Sequence, residues 1–249
     1  MCTDSMNNKC ALITGASGGI GSEIALRLAK DGFSIAACYF SDDEGISRLS
    51  EKLSEVGAEF KIYKADVSDF QKIKEVFTDA AECFGGVSVL VNNAGMAQQK
   101  LFTDISQEEF DRITAVNFKG VFNCCQCAVP FMVNQKRGKI INISSMWGVY
   151  GASCETVYSA TKAAVIGLTK ALARELAPSN IQVNCVAPGA IDTKMNNNLT
   201  ESEKADFAAE IPMGRFGTPR EIAGVVSFLA GSGSDYVTAQ VITADGGLT

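Results

Sequence analysis

Short runs rich in β-branched and other apolar residues alternate along the whole chain with longer stretches of helical period. The runs fall at residues 11–14, 34–38, 60–64, 87–92, 139–144, 182–187 and 241–244, and the helical stretches near 19–30, 45–56, 69–84, 106–133, 154–176 and 219–230. This order predicts an α/β fold in which seven parallel strands are covered by helices on both faces. A doubly wound sheet of that size runs as one domain of about 250 residues, so 1–249 is read as a single unit. Connections are short, with no repeat and no Pro/Gly/Ser linker. The exception is the polar segment 189–216, which includes Asn196, Asn197, Asn198 and a helical piece around 201–209. Long insertions of this kind often cover substrate, so a lid is expected there, bringing Met195 and Ile211 against the substrate chain.

Composition narrows the function. The 22 basic and 28 acidic side chains give a net charge of −6 with no basic block, which excludes a surface tracking nucleic-acid phosphates. The polar start of the chain does not resemble a secretory signal, and no apolar run approaches a membrane span. Nine cysteines without regular spacing, set within apolar segments, suit a reduced cytoplasmic location. The absence of histidine removes Ser-His and Cys-His nucleophiles, His acid/base catalysis and His-ligated zinc together, and no metal is expected.

The first strand runs into Thr14-Gly15-Ala16-Ser17-Gly18-Gly19-Ile20-Gly21 and then a helix. Bare helix amides and the positive dipole end make that turn an anion site, and Gly15, Gly19 and Gly21 let backbone approach a pyrophosphate. In this strand-turn-helix context the glycines mark a Rossmann dinucleotide site, with Ser17, Gly18 and Ile20 completing the turn. NAD sites usually carry a carboxylate at the end of the second strand, where Tyr39 stands here. With nothing there to repel a 2′-phosphate, and Ser41 able to bond one, NADPH is favoured over NADH. No Arg or Lys falls within 37–45, and Asp42 or Asp43 taking the ribose would reverse the preference. Asp66 and Val67 end the third strand, Asp66 within reach of an adenine edge. Asn93, Ala94 and Gly95 follow Asn92 at the end of the fourth, so three strand ends converge on one crevice. Asn92 itself reads equally well as a turn-stabilising side chain.

Tyr158 and Lys162 lie four apart in a helical stretch, hence on one face. That helix follows the fifth strand, whose end carries Ser144 and Ser145, and so opens at the same crevice. Without histidine, Tyr158 is the proton donor, its pKa expected to be lowered by the Lys162 ammonium and a cationic nicotinamide. Lys162 would also bond the ribose, and Ser145 would hold a carbonyl oxygen. Trp147 is read as a pocket wall. Cys124, Cys125 and Cys127 are read as core or subunit-interface packing, and Cys154 as a small packed residue at the rim.

Together these motifs resemble the short-chain dehydrogenases/reductases over the whole chain. They are Thr14-Gly15-x-x-x-Gly19-x-Gly21, Asp66, Asn92-Asn93-Ala94-Gly95, Asn117, Ser145, Tyr158-x-x-x-Lys162, Pro188-Gly189 with Thr193, and Asp245-Gly246-Gly247. The resemblance implies that Asn117 holds a water in a proton relay from Lys162, that Ile191 and Thr193 contact the nicotinamide carboxamide beside Pro188 and Gly189, and that the chain forms a homotetramer. Arg215-Phe216-Gly217-x-Pro219-x-Glu221-Ile222-Ala223 is similar to the bacterial 3-oxoacyl-[acyl-carrier-protein] reductases. The stretch from Ser144 to Glu155, with Asp192-Thr193-x-Met195, is similar to the elongation factor P 5-aminopentanone reductases. The implied partner is thus a small or carrier-bound ketone, on acyl carrier protein or on elongation factor P. Acyl-carrier reductases dock the carrier through basic residues at two places, which align here with Lys136 and Ser179. An NAD(H)-dependent alcohol or hydroxysteroid-type dehydrogenase is the alternative enzyme. A nucleotide-binding sensor without turnover is the alternative of another class, though sensors typically lose Tyr, Lys or a turn glycine, and all are intact here.

Overall fold

The computed structural model describes residues 9–193 and 200–249. Seven parallel strands form one sheet in the order β3-β2-β1-β4-β5-β6-β7. They are β1 (Cys10–Thr14), β2 (Ser34–Tyr39), β3 (Phe60–Lys64), β4 (Val89–Asn92), β5 (Gly138–Ile143), β6 (Ile181–Pro188) and β7 (Val241–Ala244). Every residue of β1, β4, β5 and β6 is buried, as strands covered on both faces must be. Neighbouring side chains on β1 leave on opposite sides: Leu12 joins the core with Phe77, Cys124 and Met132, and Ile13 the core with Ile24, Leu49 and Val226. The first core lies under α3 (Phe70–Phe84), α5 (Gly120–Gln135) and α7 (Thr156–Leu176). The second lies under α1 (Gly19–Lys30), α2 (Asp43–Glu55) and α9 (Pro219–Ala230). Among the described residues no helix is long and apolar enough to cross a membrane.

Local chemistry sets the helix ends. Asp69 caps α3 by accepting from Lys72 N at 3.1 Å, and Gly85 ends that helix at φ 74°. Ser106 and Glu109 form a capping box on α4 (Gln107–Thr114), and Thr218 and Glu221 form another on α9, with Pro219 in its first turn. The expected helix 106–133 is instead α4, a π-helical turn over Ala115–Lys119, and α5. The π turn contains Asn117, whose side chain is fixed by bonds to Met96 described below, and such turns collect at functional sites. The helix expected from 154 begins at Thr156, because Cys154 sits at φ 63°, outside helical space. Strand β4 starts at Val89, two residues inside the apolar run.

Strand order reverses beside β1, whose neighbours are β2 and β4. Ligands of open α/β sheets bind at that switch, beyond the carboxyl ends of the strands.

Candidate active site

The turn after β1 is built for close backbone approach. Gly15 holds φ 65°, and a Cβ there would lie 2.9 Å from Ala94 Cα. A Cβ on Gly21 would run into the Gly15 carbonyl. Helix α1 begins after Gly18 with no side chain capping it, so its first amides face outward at the positive end of the dipole. Asn93 braces the turn from behind: its Nδ2 donates to Thr14 O at 3.1 Å and to Gly15 O at 3.0 Å. Thr14 Oγ1 in turn accepts from Asn93 N and Ala94 N, each at 3.0 Å. The Asn93 amide thereby locks the β1 and β4 ends together, and the residue, expected as a cofactor contact, also borders the cavity. Asn92 donates to Asn142 Oδ1 at 2.8 Å inside the sheet, as the structural reading expects.

Past β2 and β3 lies a pocket of 360 Å³ lined by Ser17, Tyr39, Ser41, Asp66, Val67 and Arg112, among others. Asp66 accepts from Ser68 N at 2.9 Å, from the Ser68 hydroxyl at 2.7 Å and from Arg112 Nη1 at 2.9 Å. Burial pushes its carboxyl upward, but these Ser68 and Arg112 bonds outweigh it and hold the pKa below the usual range. Both acids that could have favoured NADH are engaged. Asp42 accepts from Gly45 N at 2.9 Å to cap α2, and Asp43 takes Tyr39 Oη at 2.8 Å and Lys64 Nζ at 2.8 Å. A recess of 150 Å³ beside Ser17 and Gly18 is lined by Arg48 and Lys52 of α2. The cations absent from 37–45 are delivered by the fold from elsewhere: Arg48 and Lys52 from α2, and Arg112 from α4.

The third part is a cavity of 960 Å³ lined by Ser145, Tyr158 and Lys162, which the fold brings together as expected, all with 5–9% of their surface exposed. Tyr158 and Ser145 stand near each other on its wall, close enough for the serine hydroxyl to lower the phenol's pKa. Ser145 Oγ accepts from Trp147 N at 3.2 Å. Trp147 opens a single helical turn, α6 (Trp147–Tyr150), and forms part of the cavity wall. Lys162 Nζ donates to Ile143 O at 2.9 Å and lies 5.7 Å from the centre of the Tyr158 ring. Burial pulls the Lys162 ammonium down to about 8. The Tyr158 pKa moves opposite to the expected direction: burial raises it, the Ser145 bond lowers it less, and the Glu155 charge raises it further.

Asn117 is fully buried. Its Oδ1 accepts from Met96 N and its Nδ2 donates to Met96 O, both at 2.9 Å, so the side chain clamps the loop after β4. Gly95 fits between this amide and the lysine, since a Cβ there would lie 3.3 Å from Lys162 Nζ and 3.4 Å from Asn117 Oδ1.

Pro188, Gly189, Ile191 and Thr193 line the same cavity, and Thr193 returns to the glycine turn, its Cγ2 lying 3.3 Å from where a Cβ on Gly19 would stand. A parallel bridge between Ile191 and Gly217 anchors this segment. Met195 lies outside the described residues, as do Asn196, Asn197 and Asn198. Ile211 is buried near Gly246 and does not line the cavity; Phe207 of α8 (Glu201–Glu210) does. Cys124, Cys125 and Cys127 are buried in or against the core, and burial raises all three thiols.

A pyrophosphate-shaped glycine turn at the switch point, joined to a Ser/Tyr/Lys cluster at the neighbouring strand ends, defines an oxidoreductase class, and the chain belongs to the short-chain dehydrogenase/reductase family. The family model matching residues 15–249 is described as enoyl-(acyl carrier protein) reductase. Among individual relatives, the 3-oxoacyl-[acyl-carrier-protein] reductase FabG of Thermotoga maritima is 43% identical over 243 residues, covering 98% of each chain. Nodulation protein G of Azospirillum brasilense is 41% identical over 98% of this chain and 99% of its own. A variant of actinorhodin polyketide ketoreductase, solved with NADPH, superposes with a TM-score of 0.93 at 34% identity, covering 99% of both chains.

Proposed function

We propose that this protein reduces a ketone to a secondary alcohol with hydride from NADPH, in the manner of a 3-oxoacyl-[acyl-carrier-protein] reductase. The observation that carries this reading is the pair of hydroxyls, Tyr158 and Ser145, brought together with Lys162 on the wall of a 960 Å³ cavity that adjoins the glycine turn. Two O–H donors side by side suit one carbonyl oxygen that gains charge as it is reduced. The relatives named above support a carrier-bound 3-oxoacyl ketone as the substrate type.

The residues present fit the cofactor. The turn at Gly15, Gly19 and Gly21 leaves a cradle that a Cβ would close, and the uncapped α1 amides face the place of a pyrophosphate. Ser17, Gly18 and Ile20 border that place, Val67 and Asp66 the adenine end, and Tyr39 and Ser41 the ribose end. When bound, the dihydronicotinamide supplies the hydride. Ser145 orients the carbonyl oxygen, and Tyr158 donates the proton that turns it into a hydroxyl. A raised Tyr158 pKa suits this direction, because the donor stays protonated at neutral pH. Lys162 bonds the ribose and keeps positive charge near the tyrosine, and Asn117 holds the Met96 loop against both while serving the proton relay.

Cofactor choice follows from charge. With Asp42 and Asp43 engaged, Arg112 in the pocket of Tyr39 and Ser41, and Arg48 and Lys52 in the recess beside Ser17, NADPH is expected to bind at least about tenfold more tightly than NADH. Tyr39→Asp is expected to reverse the order by repelling the 2′-phosphate, and fluorescence titration of both cofactors checks it. Equal binding by the unmodified protein would sink the assignment. Exposed Phe110 and Phe122 on α4 and α5 support assembly through those helices into the expected homotetramer.

The function itself is tested by following NADPH oxidation with an acetoacetyl thioester, free and on acyl carrier protein. Steady turnover of the ketone is expected, and no turnover with either form would refute the reading.

A further inference from the structure

Strands β2 and β3 end side by side with Tyr39 opposite Lys64, and Tyr39 lines the 360 Å³ pocket that also takes in Ser41 and Asp66. Four residues past Tyr39, Asp43 opens α2 with a largely exposed carboxylate. Lys64 Nζ grips both of its oxygens, Oδ1 at 2.8 Å and Oδ2 at 3.1 Å, and Tyr39 Oη donates to Oδ1 at 2.8 Å. The same ammonium stands 5.5 Å from the centre of the Tyr39 ring, within range of its face. Lysine, tyrosine and aspartate thus close into one cluster at the rim of the pocket. The bond from Lys64, followed by that from Tyr39, holds the Asp43 carboxyl below its usual range, so it is ionised at neutral pH.

The two acids of this turn are restrained by different means. Asp42 accepts from the Gly45 amide at 2.9 Å, a backbone restraint that changes to neighbouring side chains leave in place. Asp43 is held by side chains, and the cation that matches its charge is Lys64. Without that ammonium, an ionised carboxylate stands two residues past Ser41 with one side-chain bond to hold it. A carboxylate in this region accepts from the ribose hydroxyls of NADH and repels the 2′-phosphate of NADPH. Lys64 therefore bears on the phosphate through Asp43, unlike Arg112, which lines the pocket itself.

We propose that Lys64 determines cofactor specificity by holding Asp43 against Tyr39, which keeps that carboxylate off the ribose and cancels its charge where a 2′-phosphate would sit. The inference rests on the NADPH part of the ketone-reductase reading and names a residue that sets it. Lys64 is a positioning residue, since it acts through Asp43 and lines neither the pocket nor the cavity. An exposed ion pair of this kind contributes little to stability. A Lys64 that merely joined β3 to α2 would leave the choice of cofactor unmoved.

The test titrates NADPH and NADH by fluorescence against the unmodified protein, Lys64→Met, Lys64→Arg, and a double variant that adds Asp43→Asn to Lys64→Met. KM and kcat for each cofactor are followed beside it with an acetoacetyl thioester. In Lys64→Met the preference for NADPH over NADH is expected to fall about fivefold, through weaker NADPH and tighter NADH, with the change in cofactor KM rather than in kcat. Lys64→Arg keeps the preference, because a guanidinium forks onto both Asp43 oxygens. The double variant regains it, because the amide has no charge with which to repel the phosphate. An unchanged preference in Lys64→Met overturns the inference. A loss that persists in the double variant also overturns it, since Lys64 would then attract the phosphate directly. A preference for NADPH that is indifferent to Lys64 leaves the cofactor reading standing, whereas an unmodified protein that binds NADH as tightly as NADPH removes that reading first and this inference with it.

Discussion

Tyr158→Phe is expected to lower kcat for ketone reduction by about 10²-fold or more while NADPH affinity stays near that of the unmodified protein. The ring is 9% exposed and packed beside Lys162, and Phe preserves that volume. What disappears is the hydroxyl, and with it the proton that must reach the reduced oxygen. Its partner Ser145 keeps the bond from Trp147 N, so the site does not collapse. Ser145 alone still polarises the carbonyl, which is why some activity remains. Single-turnover rates and cofactor titration separate the two effects. A kcat within a few-fold of the unmodified enzyme would show that another group donates the proton.

Lys162→Met is expected to trade function for stability. An ammonium buried this deeply has its pKa reduced to about 8 from 10.5, which corresponds to ~3 kcal/mol of cost when charged. Methionine fills similar volume without the charge and gives up the bond to Ile143 O, an offset of about 1 kcal/mol. The variant should therefore unfold at a higher temperature at neutral pH, with a net gain of ~1–3 kcal/mol. The gain is fully present below pH 8, where folded and unfolded chains both carry the proton. It fades as pH rises from about 8 to 10.5, because there the folded protein sheds a proton that the unfolded chain keeps, and the unmodified protein recovers stability. Cofactor affinity and kcat both fall, since one ammonium serves ribose binding and proton supply. Thermal melts at pH 7 and pH 10 decide the matter: a Met variant that is less stable at pH 7 contradicts the buried-charge account. Such a cost retained at a site is the usual price of activity.

Much of this was legible from residue order alone. The seven apolar runs became the seven strands because central parallel strands are buried on both faces and need no partner-specific information. Gly15, Gly19 and Gly21 could be read because the turn is local, and Tyr158 with Lys162 because four residues of helix place them on one face. What escaped the sequence depends on contacts between distant segments. Arg112 meets Asp66 across 46 positions, and Asn93 reaches back 79 to Thr14, so neither pairing leaves a spacing to read. The Tyr158 pKa went the other way because burial, invisible in a motif, exceeds the pull of nearby groups. Asn117 announced itself only through resemblance; its π turn and its clamp on Met96 emerge from packing.

The central claim is that hydride goes to a carbonyl carbon, whereas the family model that spans residues 15–249 is described by the reduction of a carbon-carbon double bond. The two are separated by supplying NADPH deuterated at the transferable position together with an equimolar pair, a 3-oxobutyryl thioester and the 2-butenoyl thioester, and locating the label by mass spectrometry and NMR. The account predicts a 3-hydroxybutyryl product with one deuterium on its carbinol carbon and recovery of the 2-butenoyl thioester unchanged. A saturated, deuterated butyryl thioester beside an untouched 3-oxo compound would contradict it.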